Sequence, residues 1–126
     1  MTNSPLPDPS PRSTVVAARS RPAILALDIG TSSCKGAVFT PDGVMLATAR
    51  QEYPTWRLRD QRIEQVPADW WHAVQDVCRE LTASDRVGEI VVVGLSGQVP
   101  TMVLVDDEGR ALTPAISWQD RRAGDE

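Results

Sequence analysis

The sequence predicts an α/β domain that opens with an antiparallel three-strand meander, and three observations carry that reading. Short apolar runs separated by turn residues fill positions 24–53, a helical pattern behind a proline covers 67–81, and a β-branched run follows at 89–95.

The chain has 126 residues, enough for one domain, and 41% hydrophobic content supplies a core. It contains no apolar run near the roughly 18 residues a membrane span needs and no signal-peptide pattern, so no membrane partner and a cytoplasmic location are expected. Cys34 and Cys78 lie on different predicted elements without CxxC spacing, which indicates reduced thiols. The net charge is −4 and twelve arginines stand beside the single Lys35. A polyanion-binding module is usually basic, so nucleic acid is excluded as the main partner.

Residues 1–22 hold five of the ten prolines and no periodic apolar face, and read as a disordered leader. Folding is expected from Ala23. Strand one covers about Ile24 to Ile29, strand two about Lys35 to Thr40, and Pro41-Asp42-Gly43 turns the chain into a third strand from Val44 to about Tyr53. The first two strands enclose a phosphate-type hairpin. Asp28 ends the first apolar run; Gly30, Thr31, Ser32 and Ser33 form a small polar turn, and Lys35 adds a positive charge. Successive hydroxyls and amides can form a concavity of donors for phosphate oxygens, glycine tolerates backbone angles closed to other residues, and a carboxylate at a strand end suits Mg2+ or its waters. The same spacing also fits an ordinary hairpin turn.

Residues 54–66 read as a charged connection or irregular strand. In the helix that follows, Pro67 suits the first position, Asp69 complements the dipole, and Trp70, Val74, Val77, Cys78 and Leu81 share a face. His72, the only histidine, falls on the polar stripe with Asp76 and is read as solvated. Glu89 to Leu95 reads as a strand buried on both faces, ending in Ser96-Gly97-Gln98, where open α/β sheets place ligand contacts. A strand at Thr101 to Val105 and an acidic turn at Asp106 to Gly109 come next. Trp118, Gln119, Asp120, Arg121 and Arg122 form a cluster able to hydrogen-bond a polyol against an aromatic wall, or else a helix start with a surface ion pair.

In combination these segments resemble the FGGY carbohydrate kinases, which include xylulokinase, glycerol kinase and gluconokinase. Asp28-x-Gly30-Thr31-x-x-x-Lys35 is similar to the family's first phosphate motif, and Glu64-x-x-Pro67-x-x-Trp70-Trp71 to its Glu-x-Asp-Pro-x-x-Trp-Trp segment. Ser96-Gly97-Gln98 resembles its substrate loop, and Trp118-x-Asp120-x-Arg122 its Trp-x-Asp-x-Arg signature. The resemblance runs from Ala23 to the end.

It implies a ribonuclease-H-like fold of the actin, Hsp70 and sugar-kinase type, with ATP and Mg2+ as cofactors and a sugar or polyol as substrate. A homodimer is one assembly it suggests for a full-length enzyme. By the same resemblance Thr31, Ser32 and Ser33 contact nucleotide phosphates, Lys35 stabilises the transferring phosphoryl group, and Asp28 serves the metal. Gln98, Trp118, Asp120 and Arg122 line the sugar side. Two positions depart from the pattern. Val99-Pro100-Thr101 stands where xylulokinases have Met-His-Gly and glycerol kinases Arg-Glu-Thr, and Val66 replaces an Asp. Family members draw their general base, an Asp, from well beyond this length, so an incomplete first domain without catalytic turnover of its own is expected. The alternative is a noncatalytic nucleotide-binding relative of the actin and Hsp70 superfamily.

Overall fold

The computed structural model describes residues 21–124. The predicted leader therefore lies, up to position 20, outside the described residues. Strand β1 (Pro22–Ile29) begins one residue before the expected Ala23 and alternates buried Ala23, Leu25 and Leu27 with half-buried neighbours. β2 (Ser33–Phe39) pairs antiparallel with β1, and β3 (Met45–Glu52) pairs antiparallel with β2. Two short strands follow, β4 (Trp56–Arg57) and β5 (Ile63–Gln65), where the sequence suggested a connection or irregular strand. Helix α1 (Pro67–Thr82) then leads to β6 (Glu89–Gly97), which returns parallel to β1, and β7 (Ala115–Ile116) pairs with β5. The main sheet is mixed, in the order β3-β2-β1-β6, and the smaller one runs β4-β5-β7.

The core forms between one face of the main sheet and α1. Ala73, Val77 and Leu81 of the helix pack with Leu25, Leu27, Cys34, Val38 and Ala49 of the strands. Gly36 lets the helix approach, since a Cβ there would press on Val77 Cγ1 and lie 2.8 Å from Leu81 Cδ1. Pro67 opens α1 as expected, but Val66 at the cap makes no side-chain hydrogen bond, as the missing Asp foretold. His72 and Asp76 are exposed, while Trp70 packs against the core and Trp71 stays 61% exposed.

Two expectations are corrected. β6 is the edge strand of the sheet, and Val91, Val92, Val93 and Leu95 are between 53% and 72% exposed, not buried on both faces. A β-branched run specifies a strand, whereas burial depends on what packs over it. Thr101 to Val105 is also not a strand. It makes only single bridges, Met102 to Ile116 and Val105 to Ala111. The acidic turn does close, with the Asp106 carboxylate accepting from the Glu108 and Arg110 N–H groups at 3.1 and 2.7 Å and Gly109 at φ +79°.

Candidate functional site

The β1–β2 turn is built from Gly30 to Ser32, closed by the Gly30 N–H donating to the Ser33 carbonyl at 3.1 Å. Gly30 does not adopt a left-handed backbone, and a Cβ there would meet ordinary contacts at 3.5 and 3.6 Å, from Ser33 O and Asp28 Oδ2. Its expected conformational role is therefore not used. Ser32 is exposed and Thr31 half-buried, but Ser33 is only 3% exposed. Of the three hydroxyls, Ser33 faces inward.

Strand register places the charged groups. Asp28 is opposite Lys35 on β2 and opposite Ser96 on β6, and Lys35 is opposite Arg50 on β3. Registered partners share a face, so one row crosses four strands as Arg50, Lys35, Asp28 and Ser96. Lys35 Nζ lies 3.8 Å from Asp28 Oδ2, and both side chains remain about half exposed. Cys34, next to Lys35 on β2, turns to the other face and is buried in the core. Burial foremost, then Cys78 and Asp28, push its thiol up, which suits a protonated packing residue rather than a nucleophile.

Residues that sequence reasoning passed over hold the turn from behind. The Tyr53 hydroxyl donates to the Gly30 carbonyl, and burial is the main cause pushing the phenol up to about 12. Gln65 is fully buried and donates from Nε2 to the Thr31 carbonyl and to Thr55 Oγ1, both at 2.7 Å. Its Oε1 accepts from Gln98 Nε2 at 2.7 Å. Gln65 stands at an unspecified position of the Glu64-x-x-Pro67 pattern, and the one available signal was an amide two residues after Ile63.

Gln98, Trp118, Asp120 and Arg122 do come together, lining one groove of about 720 Å³ with Thr101 and Ile116. Their roles differ. Asp120 accepts from the Ile63 N–H at 2.7 Å and from three nitrogens of Arg122 at 2.8 to 3.0 Å. Arg122 foremost holds the Asp120 carboxyl far below the usual carboxylate range, and Asp120 with Glu64, 2.7 Å away, raises the guanidinium in turn. This pair braces the groove floor against β5. Trp118 is 49% exposed, and its Nε1 donates to Thr31 Oγ1 at 2.9 Å, so the groove and the phosphate-type turn share a wall.

No helix among the described residues is long and apolar enough to cross a membrane.

Residues 23–126 match the amino-terminal domain of the FGGY family of carbohydrate kinases. A glycerol kinase from Rhodospirillum centenum is 38% identical over 105 residues, which is 81% of this chain and 21% of that protein. Among solved structures, xylulose kinase from Rhodospirillum rubrum superposes with a TM-score of 0.76 at 30% identity, covering 82% of this chain and 22% of its own. Gluconate kinase from Lactobacillus acidophilus gives 0.78 at 26% identity, with 84% and 21% covered. The chain thus shares the sugar-kinase fold and spans about a fifth of the length of the curated relatives it matches. By sequence, fold and the convergence of its motifs on one site, the chain belongs to the FGGY family of carbohydrate kinases.

Proposed function

We propose that this chain supplies the phosphate-facing and sugar-facing walls of an ATP-dependent carbohydrate kinase. The observation that carries the reading is the hydrogen bond from Trp118 Nε1 to Thr31 Oγ1, which makes the polar hairpin and the polyol-type groove one continuous site. Thr31 and Ser32 offer hydroxyls to nucleotide phosphates, and Lys35 offers a cation to the transferring group. Ser33 joins them only through its backbone, given its burial.

Among the described residues no group of three or more His, Cys, Asp or Glu forms a metal cluster. One open carboxylate, Asp28, is what Mg2+ requires when phosphates and water complete its shell, so Asp28 fits as its protein contact. The ion, when bound with ATP, neutralises charge on the phosphates. Gln98 and Trp118 meet the substrate, while Asp120 and Arg122 fix the loop that presents Trp118. The relatives' names include glycerol, xylulose and gluconate kinases, which supports a polyhydroxylated substrate. The substitutions at Val99, Pro100 and Thr101 leave its identity open to assay. The two free cysteines fit a cytoplasmic setting.

The test is a titration of the isotope-labelled chain. Mg2+–ATP is expected to perturb Thr31, Ser32 and Lys35, and glycerol, D-xylulose or D-gluconate to perturb Gln98 and Trp118. Nucleotide binding without any response to the three polyols would favour a noncatalytic nucleotide-binding relative, and no response to nucleotide would refute the phosphate reading.

A further inference from the structure

Four hydrogen bonds fix which way two glutamine amides face. The Thr31 carbonyl can only accept, and it receives Gln65 Nε2 at 2.7 Å and the Thr55 hydroxyl at 3.2 Å. Having committed its proton to Thr31, Thr55 Oγ1 accepts from Gln65 Nε2 at 2.7 Å. Both contacts demand the nitrogen end of Gln65. Its Oε1 must then face Gln98, where it accepts from Nε2 at 2.7 Å. Turning either amide over would set oxygen against oxygen, and Gln65, at 0% exposure, has no solvent to turn toward.

The result is a surplus acceptor. Gln98 Oε1 is buried and has no hydrogen-bond partner among the described residues. The Gln98 backbone is itself pinned, its N–H donating to the Ile29 carbonyl at 2.9 Å, and the residue lines the groove with Thr101, Trp118, Asp120 and Arg122. Trp70 Nε1 is likewise buried without a partner and lines a smaller cavity that Gln98 shares. An indole gives a proton and Gln98 Oε1 receives one, and a hydroxyl has both capacities.

We infer that Gln65 is a positioning residue that locks the Gln98 amide with Oε1 turned away from it as a free acceptor, so the substrate group meeting that oxygen is a hydroxyl and not a carbonyl, carboxylate or phosphate oxygen. This rests on the sugar-side reading of Gln98. For a substrate with a carbonyl or carboxylate at one end, the lock also sets orientation, because only a hydroxylated carbon can lie against Gln98 Oε1. The lock originates at Thr31, so it ties substrate polarity to the backbone of the phosphate-type turn.

The ligand-free test is Gln65→Glu in the 126-residue chain. The new carboxyl faces the Thr31 carbonyl and must keep its proton to bond there. Its titration, followed by the carboxyl carbon shift, is expected well above the ordinary carboxylate range, with the Gln98 side-chain amide resonances moving at the same midpoint. Ordinary titration with Gln98 unmoved overturns the lock. If that variant fails to fold, solvent exchange in the wild type decides: the Gln65 amide protons are expected to exchange far more slowly than those of exposed Gln51 and Gln61, and equal rates overturn the lock. The ligand arm compares glycerol with glycerol trimethyl ether, in which every hydroxyl proton is replaced. Glycerol is expected to shift the Gln98 amide, and the ether to bind roughly ten- to a hundredfold more weakly. Equal affinities overturn the donor requirement. If neither shifts Gln98 while the lock tests succeed, the sugar-side reading falls and the donor requirement with it.

Discussion

Trp118 reaches back 87 positions to donate its indole proton to the Thr31 hydroxyl at 2.9 Å. The contact makes the aromatic wall of the groove sense the turn. We predict that Mg2+–ATP shifts the Trp118 indole N–H resonance and that Thr31→Val abolishes the shift. Because Trp118 is half exposed, Thr31→Val should cost no more than about 1 kcal/mol of stability in urea unfolding.

Tyr53 is the chain's single tyrosine, so its ionisation can be followed alone by tyrosinate absorbance. Burial raises its phenol to about 12 in the folded chain, against about 10 unfolded. Between those values the folded state holds the extra proton. The stability it contributes is therefore full below about pH 10 and is lost as pH rises toward 12. Tyr53→Phe should flatten that alkaline slope and, by leaving the Gly30 carbonyl without its donor, cost about 1–2 kcal/mol at neutral pH.

Asp120 behaves in the opposite sense. Arg122 depresses its folded-state pKa, so its contribution is full above about pH 4 and disappears as pH falls through the depressed value. Asp120→Asn should weaken the acid dependence of the urea midpoint and release the Ile63 N–H from its strongest acceptor. An unchanged acid limb would show that the pairing with Arg122 contributes nothing to folding.

Gly36 allows no side chain. Gly36→Ala forces a methyl against Val77 and Leu81 and is expected to destabilise by about 1–3 kcal/mol. An enlarging substitution at Ala37, which points to the other face, should cost far less, so the pair of midpoints separates packing from strand propensity.

Among the described residues, β6 presents an unpaired edge with Val91, Val93 and Leu95 exposed. Such an edge templates association. The chain is expected to self-associate with rising concentration in sedimentation runs, and Val93→Lys should shift it toward monomer.

The parts of the fold legible in the sequence were those set by local chemistry. The apolar run at Ile24 to Leu27, the Pro41-Asp42-Gly43 turn and the proline ahead of Trp70 each specify structure within a few residues. The candidate site was legible to the extent that residue type alone marks groups the fold then brings together, as with Asp28 beside Lys35 and Trp118 beside Asp120 and Arg122 in one groove. What stayed hidden depends on distant partners. Nothing near Gln65 indicates that its amide meets Thr31 and Gln98, 34 and 33 positions away. Tyr53 likewise looks like the last residue of a strand until Gly30 is seen above it. The exposure of β6 was hidden for the same reason, since a valine run carries no record of whether a neighbour covers it.

Gly36 also acts as a gauge. By omitting a side chain it fixes the stand-off between α1 and the sheet, and α1 is joined through Val66 directly to Gln65. A methyl group added at Gly36 would press on Val77 and Leu81 of the helix that begins two residues after Gln65, so the missing side chain couples core packing to the segment carrying the turn's buried amide.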